Sequence, residues 1–148
     1  MQFEFSAGGI VYKGDADNRM ILLAQHSGHH GWIFPKGHIG DKKKGELKED
    51  AALREVREET GVVGKIIQQL TPVSYWYVRE GEKIKKTVTY FLMMYLSGDI
   101  SDHDHETENV EWLVVDEVIK RLTYKSDKEA WKEAEKLIFS KRELRISI

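Results

Sequence analysis

The stretch GHIGDKKKGELKEDAALREVREETGV, residues 37–62, decides the fold class of this 148-residue chain. Its second half has helical periodicity and predicts a helix from Leu47 to Thr60. Gly61 is a natural stop for that helix, whereas Leu47 stands where a Ser, Thr or Asp cap would help. The apolar face of the helix is formed by Ala52, Leu53 and Val56.

Three carboxylates share another face of this helix, because Glu55, Glu58 and Glu59 follow the spacing i, i+3, i+4. One interpretation is a solvated face with Arg54 and Arg57 as partners. However, a glycine-rich and lysine-bearing loop leads directly into the helix, and such a loop can aim backbone groups and cations at an anion. Clustered carboxylates and phosphates together suit Mg²⁺ or Mn²⁺. We therefore expect a divalent-cation site on this face.

The quoted stretch resembles the Nudix box, which carries a glycine, a glutamate, an arginine–glutamate pair and a final double glutamate and glycine. From Glu46 onward the match is complete, with seven residues between Glu46 and Arg54. Eight residues separate Gly37 from Glu46, where the family usually has five, so GDKKK resembles a three-residue insertion. A loop tolerates such an insertion better than the helix would.

The resemblance implies a single domain over residues 1–148 with an α/β/α sandwich fold and a mixed β-sheet. It also implies hydrolysis of a nucleoside diphosphate linked to another group, by a water that Mg²⁺ or Mn²⁺ activates. The residues that it assigns fall into three roles. The metal ligands are Glu55, Glu58, Glu59 and the carbonyl of Lys36, Arg54 is catalytic together with the three glutamates, and Glu46, Gly37 and Gly61 are structural.

Three further stretches resemble the diadenosine tetraphosphate hydrolase branch of the family: GWIFPKGH (31–38), SYWYVREGEKIKKTVTYFLM (74–93) and LTYKSDKEAW (122–131). They imply asymmetric cleavage of diadenosine tetraphosphate to ATP and AMP. Tyrosines offer flat faces for an adenine, although aromatic residues on a strand more often serve the core. The predicted substrate-binding residues are Lys36, His38, Tyr77, Lys86, Tyr90 and Tyr124.

The acidic loop DHDHETE, residues 102–108, raises a separate question. Its residues 103–106 could form an independent metal cluster, but their spacing fits no tight ligand motif. The resemblance instead selects Glu106, six residues before Trp112, as an additional carboxylate of the metal site. Glu108 is its nearest competitor.

Composition excludes some classes of protein. The net charge of −2 argues against a general nucleic-acid or membrane-surface binder, and the absence of cysteine excludes disulfides and thiolate metal sites. The N-terminus lacks a signal-peptide pattern, and the longest apolar run, FLMMYL, is too short for a bilayer. We expect a soluble cytoplasmic protein, monomeric or dimeric, that acts on a small nucleotide. Other Nudix specificities (RNA 5′ ends or modified nucleoside triphosphates) and a catalytically silent nucleotide sensor remain alternatives.

The remaining pattern predicts a mixed sheet with helices on both sides. FEFSAGGIVYK, RMILLAQ and VEWLVV are typical of strands, and DEVIKRL and SDKEAWKEAEKLIFSKR of helices. KIIQQLTPVSYWYV and KIKKTVTYFLMMYL predict two long strands in a hairpin around REGEK.

Overall fold

The computed structural model describes residues 1–40 and 43–147, with residues 140–147 described by their backbone alone. Part of the GDKKK insertion, residues 41 and 42, therefore lies outside the described residues. The elements in chain order are β1 Gln2–Lys13, β2 Met20–His26, β3 Trp32–Ile33, β4 Lys36–His38, α1 Lys48–Thr60, β5 Val62–Gln69, β6 Val73–Arg79, β7 Glu82–Gly98, a 3₁₀ turn Ile100–Asp102, β8 Thr107–Val114, α2 Val115–Arg121 and α3 Lys125–Ser147.

The sheet is mixed, as the sequence predicts. Its central order is β3-β2-β1-β7-β5, with β4 beside β1, β6 beside β7 and β8 beside β2. The long β1 and β7 run parallel, and the other pairs are antiparallel. The parallel pair lies at the centre of the sheet, and strands from both halves of the chain pair with it.

Helices cover both faces of the sheet, which confirms the predicted α/β/α sandwich. Alternation along β1 sends Val11 to the α1 side, whereas Ile10 and Tyr12 point to the α2 and α3 side. Val56 of α1 and Trp131 of α3 are both almost fully buried in these two cores. Burying one apolar stripe from each helix therefore fixes the three layers.

Several boundaries differ from the sequence prediction; β5 begins at Val62 rather than Lys65, and β8 at Thr107 rather than Val110. Helix α1 begins at Lys48, and Leu47 is its N-cap without a side-chain hydrogen bond, as the sequence predicts. The segment predicted as one long strand is split into β5 and β6 by residues 70–72, which include the donorless Pro72. The hairpin of β6 and β7 turns at Glu80 and Gly81, both with positive φ.

The described helices include none that is both long and apolar enough to cross a membrane.

Candidate active site

A cavity of about 660 Å³ opens where the end of α1 meets β4, β6, β7 and the acidic loop. It gathers acidic and basic side chains that are far apart in sequence. Its carboxylates are Glu55, Glu58, Glu59, Asp104 and Glu106, and its basic side chains include Lys36, His38 and Lys86. The arrangement is suited to an anionic ligand held together with a cation.

Gly37 is required at its position because the carboxyl group of Glu55 occupies the space that a side chain would fill. A Cβ added to Gly37 would overlap that carboxyl group. Gly37 belongs to β4, which pairs with β1 at Ala7, and the backbone there holds the glycine against the helix. The glycine of the quoted stretch is thus a close-approach glycine.

Arg54 fastens the loop to the helix. Its Nε donates to Glu46 Oε2 at 2.8 Å and its Nη2 to Glu46 Oε1 at 3.0 Å, while Gly40 N–H also donates to Glu46. The hydrogen bonds from Arg54 hold the pKa of Glu46 below its usual range. A bidentate pair of this kind fixes geometry as well as charge. The same guanidinium donates to Glu55 at 2.6 Å and to Glu58 at 3.2 Å.

The carboxylate of Glu59 is incompletely satisfied by the protein. Its Oε2 is buried and has no hydrogen-bond partner, and the Lys36 backbone N–H bonds the carboxylate. Burial, followed by the charge of Glu55, raises the pKa of Glu59 well above the ordinary value. A buried carboxylate oxygen without a partner is costly unless a cation or a proton satisfies it.

Among the described residues, no three His, Asp or Glu side chains are placed as a ready-made metal cluster. Arg54 holds Glu55 and Glu58 in ion pairs. Hard divalent cations prefer oxygen ligands. The unpartnered oxygen of Glu59, which lies beside Glu55 in the cavity, therefore fits such a cation. The donor set that would hold it consists of Glu55, Glu58 and Glu59, with Asp104 and Glu106 facing the same cavity.

Two lysines line the cavity beside these carboxylates. Lys86 is half-buried, and burial together with the charge of Lys36 lowers its pKa. Lys86 lies opposite Tyr75 in the register of β6 and β7, so both side chains point to the same face of the sheet. Burial raises the pKa of Tyr75 to about 12, and this ring lines the cavity.

A second cavity of about 450 Å³ shares His29, Lys36 and Tyr75 with the first. Its other side chains include Tyr124 and Asp127. The two cavities are therefore adjacent, and the second one adds the ring of Tyr124. A phosphate chain in the first cavity would place an attached base within reach of the second.

His26 and His29 are held in defined tautomers. Gly28 N–H donates to His26 Nδ1 at 2.9 Å, and Gly31 N–H donates to His29 Nδ1 at 3.0 Å. The rings stack at 4.3 Å, and burial lowers the pKa of His29. Because Nδ1 accepts in each case, the hydrogen-bond network assigns the proton of the neutral ring to Nε2.

Two predicted substrate-binding tyrosines lie elsewhere. Tyr90 is 2% exposed, packs edge to face on Phe34 and donates to Asp127, so it has no face for a base. The prediction for Tyr90 is wrong, because α3 covers that part of β7. Tyr77 lies outside both cavities and donates its hydroxyl to Glu4. Tyr75, two residues earlier on the same face of β6, lines the cavity where we expected Tyr77.

The other predicted site residues lie in or beside the two cavities. Lys36, His38, Lys86 and Glu106 line the first cavity, and Tyr124 lines the second and bonds His29 at 2.9 Å. Gly61 caps α1 in the left-handed region with φ of 81°. The carbonyl of Lys36 as a metal ligand stays a prediction.

Sequence reasoning missed Asp104, which we had treated only as part of an independent cluster. Its N–H donates to the Glu58 carbonyl at 3.0 Å, which brings the acidic loop to the end of α1. Its charge contributes to the raised pKa of Glu59. Glu108, the competitor of Glu106, pairs with exposed His30 at 2.6 Å and lies outside the cavity. Only a tertiary contact reveals which acid of this loop faces the helix.

A family model described as the NUDIX domain matches residues 3–135. The chain belongs to the NUDIX family. The Mycobacterium tuberculosis protein named MutT4 is 38% identical over 141 residues, which are 91% of this chain and 56% of that protein. This chain therefore spans little more than half of that relative. The asymmetrical bis(5′-nucleosyl)-tetraphosphatase of Caenorhabditis elegans is 30% identical over 122 residues, covering 80% of this chain and 85% of that enzyme.

The solved structures agree with the fold of this Nudix domain. A C. elegans Ap4A hydrolase binary complex superposes with a TM-score of 0.71 at 25% identity, covering 91% of this chain and 97% of that one. Family and relatives together give the domain its class, a Nudix pyrophosphohydrolase.

Proposed function

We propose that this Nudix domain hydrolyses diadenosine tetraphosphate asymmetrically to ATP and AMP, with Mg²⁺ as the cofactor and Mn²⁺ as a substitute. The observation that carries the proposal is the pair of adjacent cavities. One contains the carboxylates with Lys36, Lys86 and Tyr75, and the other adds Tyr124. A dinucleoside tetraphosphate needs cations along its phosphate chain and a flat apolar wall for a base.

In this proposal, Glu55, Glu58 and Glu59 hold the divalent cation. When bound, the cation neutralises phosphate charge and lowers the pKa of a water molecule. Lys36 and Lys86 bind the phosphate oxygens and keep the chain extended across the cavity. Water attacks phosphorus, one phosphoanhydride P–O bond breaks, and a carboxylate of the cavity accepts the proton.

Arg54 acts as a positioning residue. Its guanidinium holds Glu46 on one side and Glu55 and Glu58 on the other. These contacts fix the loop that carries Glu46 against the helix that carries Glu55 and Glu58, the residues that would hold the cation. Tyr75 stacks on a base in both the ground state and the transition state, so it contributes to binding more than to the chemical step.

A second candidate is hydrolysis of a nucleoside triphosphate that carries a modified base. The 38% identity to the protein named MutT4, a mutator protein by its name, favours it. The two candidates differ in how much of the site is used, because a triphosphate offers a shorter phosphate chain and a single base.

A product assay over a substrate panel separates these candidates. The panel contains diadenosine tetraphosphate, dinucleoside triphosphates, 8-oxo-dGTP, ATP and triphosphorylated RNA, each with Mg²⁺ and each separated by ion-exchange chromatography. We expect the highest kcat/KM for diadenosine tetraphosphate, with ATP and AMP formed in equal amounts. Two ADP, or a higher kcat/KM for any other substrate, would contradict the proposal.

A matched pair of lysines sharpens the assay. Lys86→Ala should weaken binding of the tetraphosphate more than that of a shorter diphosphate, because one phosphate contact is lost. Lys120→Ala is the control, since Lys120 is exposed and pairs only loosely with Glu117 at 3.7 Å. Equal effects of Lys86→Ala on the binding of both substrates would show that Lys86 does not contact the additional phosphates of the tetraphosphate.

We further propose that residues 1–148 form one domain, that the protein works in the cytoplasm, and that it is a monomer or a dimer. The absence of cysteine is consistent with a reducing compartment.

A further inference from the structure

The reverse side of the cavity wall carries aromatic and basic side chains that no helix of the described residues covers. We call it the exposed sheet face and define it by Phe3, Phe5, Trp76, Lys83 and Lys85. Register fixes their neighbourhood, since Lys85 of β7 lies between Phe3 of β1 and Trp76 of β6. Phe5 is one pleat further along β1, opposite Thr87.

Side-chain contacts confirm that Trp76, Lys83 and Lys85 share one face, and the register places Phe3 and Phe5 on it. The Nζ atoms of Lys83 and Lys85 lie 5.5 and 5.8 Å from the centroid of the Trp76 ring. Ser74 Oγ and Thr87 Oγ1, in the next row, are 3.0 Å apart. Glu4, Tyr75, Tyr77 and Lys86 alternate to the opposite face of the same strands.

The aromatic side chains of this face are largely exposed: Phe3 is 58%, Phe5 57% and Trp76 51% accessible. Three large exposed rings on one face of a sheet are unusual on a solvated surface. Helix α1 packs on this side of the sheet further along β1, from Ala7 to Val11, and leaves the beginning of β1 open. The rings therefore have no role in the described core.

The charge of the face is positive although the whole chain carries −2. In the described parts of β1, β6 and β7, the residues on this face include two lysines and no Asp or Glu. The loop before α1 starts at the same strand, because Ile39 N–H donates to the Phe5 carbonyl at 3.1 Å. Lys43 and Lys44 of this loop are exposed.

We propose that the exposed sheet face binds single-stranded nucleic acid, with bases stacked on Phe3, Phe5 and Trp76 and phosphates paired with Lys83 and Lys85. Rings interleaved with lysines on an open sheet match both requirements of such a strand, a stacking platform and positive charge along the backbone. A second copy of this chain fits less well. An isologous contact would bring lysine-bearing faces together without a carboxylate on either to compensate.

The test measures fluorescence anisotropy of a 3′-labelled oligouridylate of about twelve nucleotides, a length within the range that sheet platforms bind. The oligonucleotide has a 5′-hydroxyl and the buffer contains EDTA, so that the active site has neither a triphosphate end nor a cation. A thymidylate of equal length forms a second arm. Saturable binding of either oligonucleotide supports the proposal, and the tighter one identifies RNA or DNA as the natural ligand.

Two variants of the face localise the binding. Trp76→Thr should weaken it by about fivefold or more, because one stacking ring is lost. Lys85→Ser should lower the slope of log K against log salt by about 0.7, the value for one phosphate contact on a single strand. Lys120→Ser and Val114→Thr are the charge and apolar controls, since both positions are exposed and lie outside the face.

Several outcomes would overturn the proposal. In the first, the protein binds neither oligonucleotide. In the second, it binds, but both face variants keep the affinity and the salt slope of the wild type. A third is a dimer by light scattering that Trp76→Thr converts to a monomer, which would make the face a self-association surface. If Trp76→Thr fails to fold by circular dichroism, the salt slope of Lys85→Ser decides alone. Turnover of diadenosine tetraphosphate should be unchanged in all folded variants.

Discussion

Gly37→Ala tests whether the glycine of the Nudix box exists to admit the carboxyl group of Glu55. The φ angle of Gly37 is outside the left-handed region, so alanine is not strained by the backbone itself. The new Cβ would overlap the Glu55 carboxyl group, which is the end of a flexible side chain. Glu55 must therefore swing away and leave Arg54.

The expected cost follows from what Glu55 gives up. Its carboxylate accepts a 2.6 Å hydrogen bond from Arg54, and its side chain is 10% exposed. A charge-assisted hydrogen bond in such a place is worth about 1.5–3 kcal/mol. For a domain of this size that loss lowers the Tm by about 3–12 °C. Turnover should fall by at least about tenfold, because a proposed metal ligand is displaced.

A double-mutant cycle isolates the overlap. In the Glu55→Ala background the obstacle is gone, so adding Gly37→Ala should change the free energy of unfolding by less than about 0.5 kcal/mol. Gly81→Ala is the control, because its Cβ meets nothing within 4 Å and only its left-handed φ is strained. That variant should lose some stability and no turnover. Additive effects of Gly37→Ala and Glu55→Ala on unfolding by urea would refute the reasoning.

Three further predictions concern the cavity walls and the loop. Tyr75→Ala should raise KM for diadenosine tetraphosphate more than it lowers kcat, whereas Tyr77→Ala should change neither; the reverse pattern in steady-state kinetics would restore Tyr77 as the stacking residue. Burial raises the pKa of Asp127 in the folded protein above its value in the unfolded chain. The free energy of unfolding therefore falls as the pH rises from the unfolded pKa through the folded pKa. Asp127→Asn should therefore stabilise the protein more at pH 7.5 than at pH 4.5 in urea titrations, and an equal effect at both values would contradict this sign. Deleting three residues from GDKKK (40–44) should leave Mg²⁺-dependent hydrolysis measurable, because the carboxylates lie downstream on α1; a folded but inert deletion variant would place the insertion in the active site.

The sequence predicted α1 and its role in the fold almost completely. A strong 3.6-residue period, a glycine stop at Gly61 and the spacing of three glutamates are all local properties. They required no knowledge of the rest of the chain, and the helix ends where they predict. Its weak start was also visible, because Leu47 offers no capping oxygen.

The tyrosines of β6 and β7 show where sequence reasoning stopped. Alternation correctly put Tyr75 and Tyr77 on one face, but it could not say how far along that face the cavity extends. Tyr90 looked equally available, yet α3 and Phe34 cover it. Which part of a strand is open depends on a helix that lies much later in the chain. The pairing of Asp104 with the end of α1 is likewise a long-range contact.

The claim that Glu59 and its neighbours hold a divalent cation is tested most directly by titrating Mn²⁺ into the protein and reading free Mn²⁺ by electron paramagnetic resonance. We expect Glu59→Gln to weaken binding by at least about tenfold and to abolish most turnover, because it removes charge but almost no volume. Glu108→Gln is the control, since that carboxylate pairs with His30 outside the cavity. The unfolding free energy without metal should be unchanged or higher in Glu59→Gln, because a buried charge without a full set of partners is removed. Equal Mn²⁺ affinity and turnover in wild type and Glu59→Gln would contradict the account.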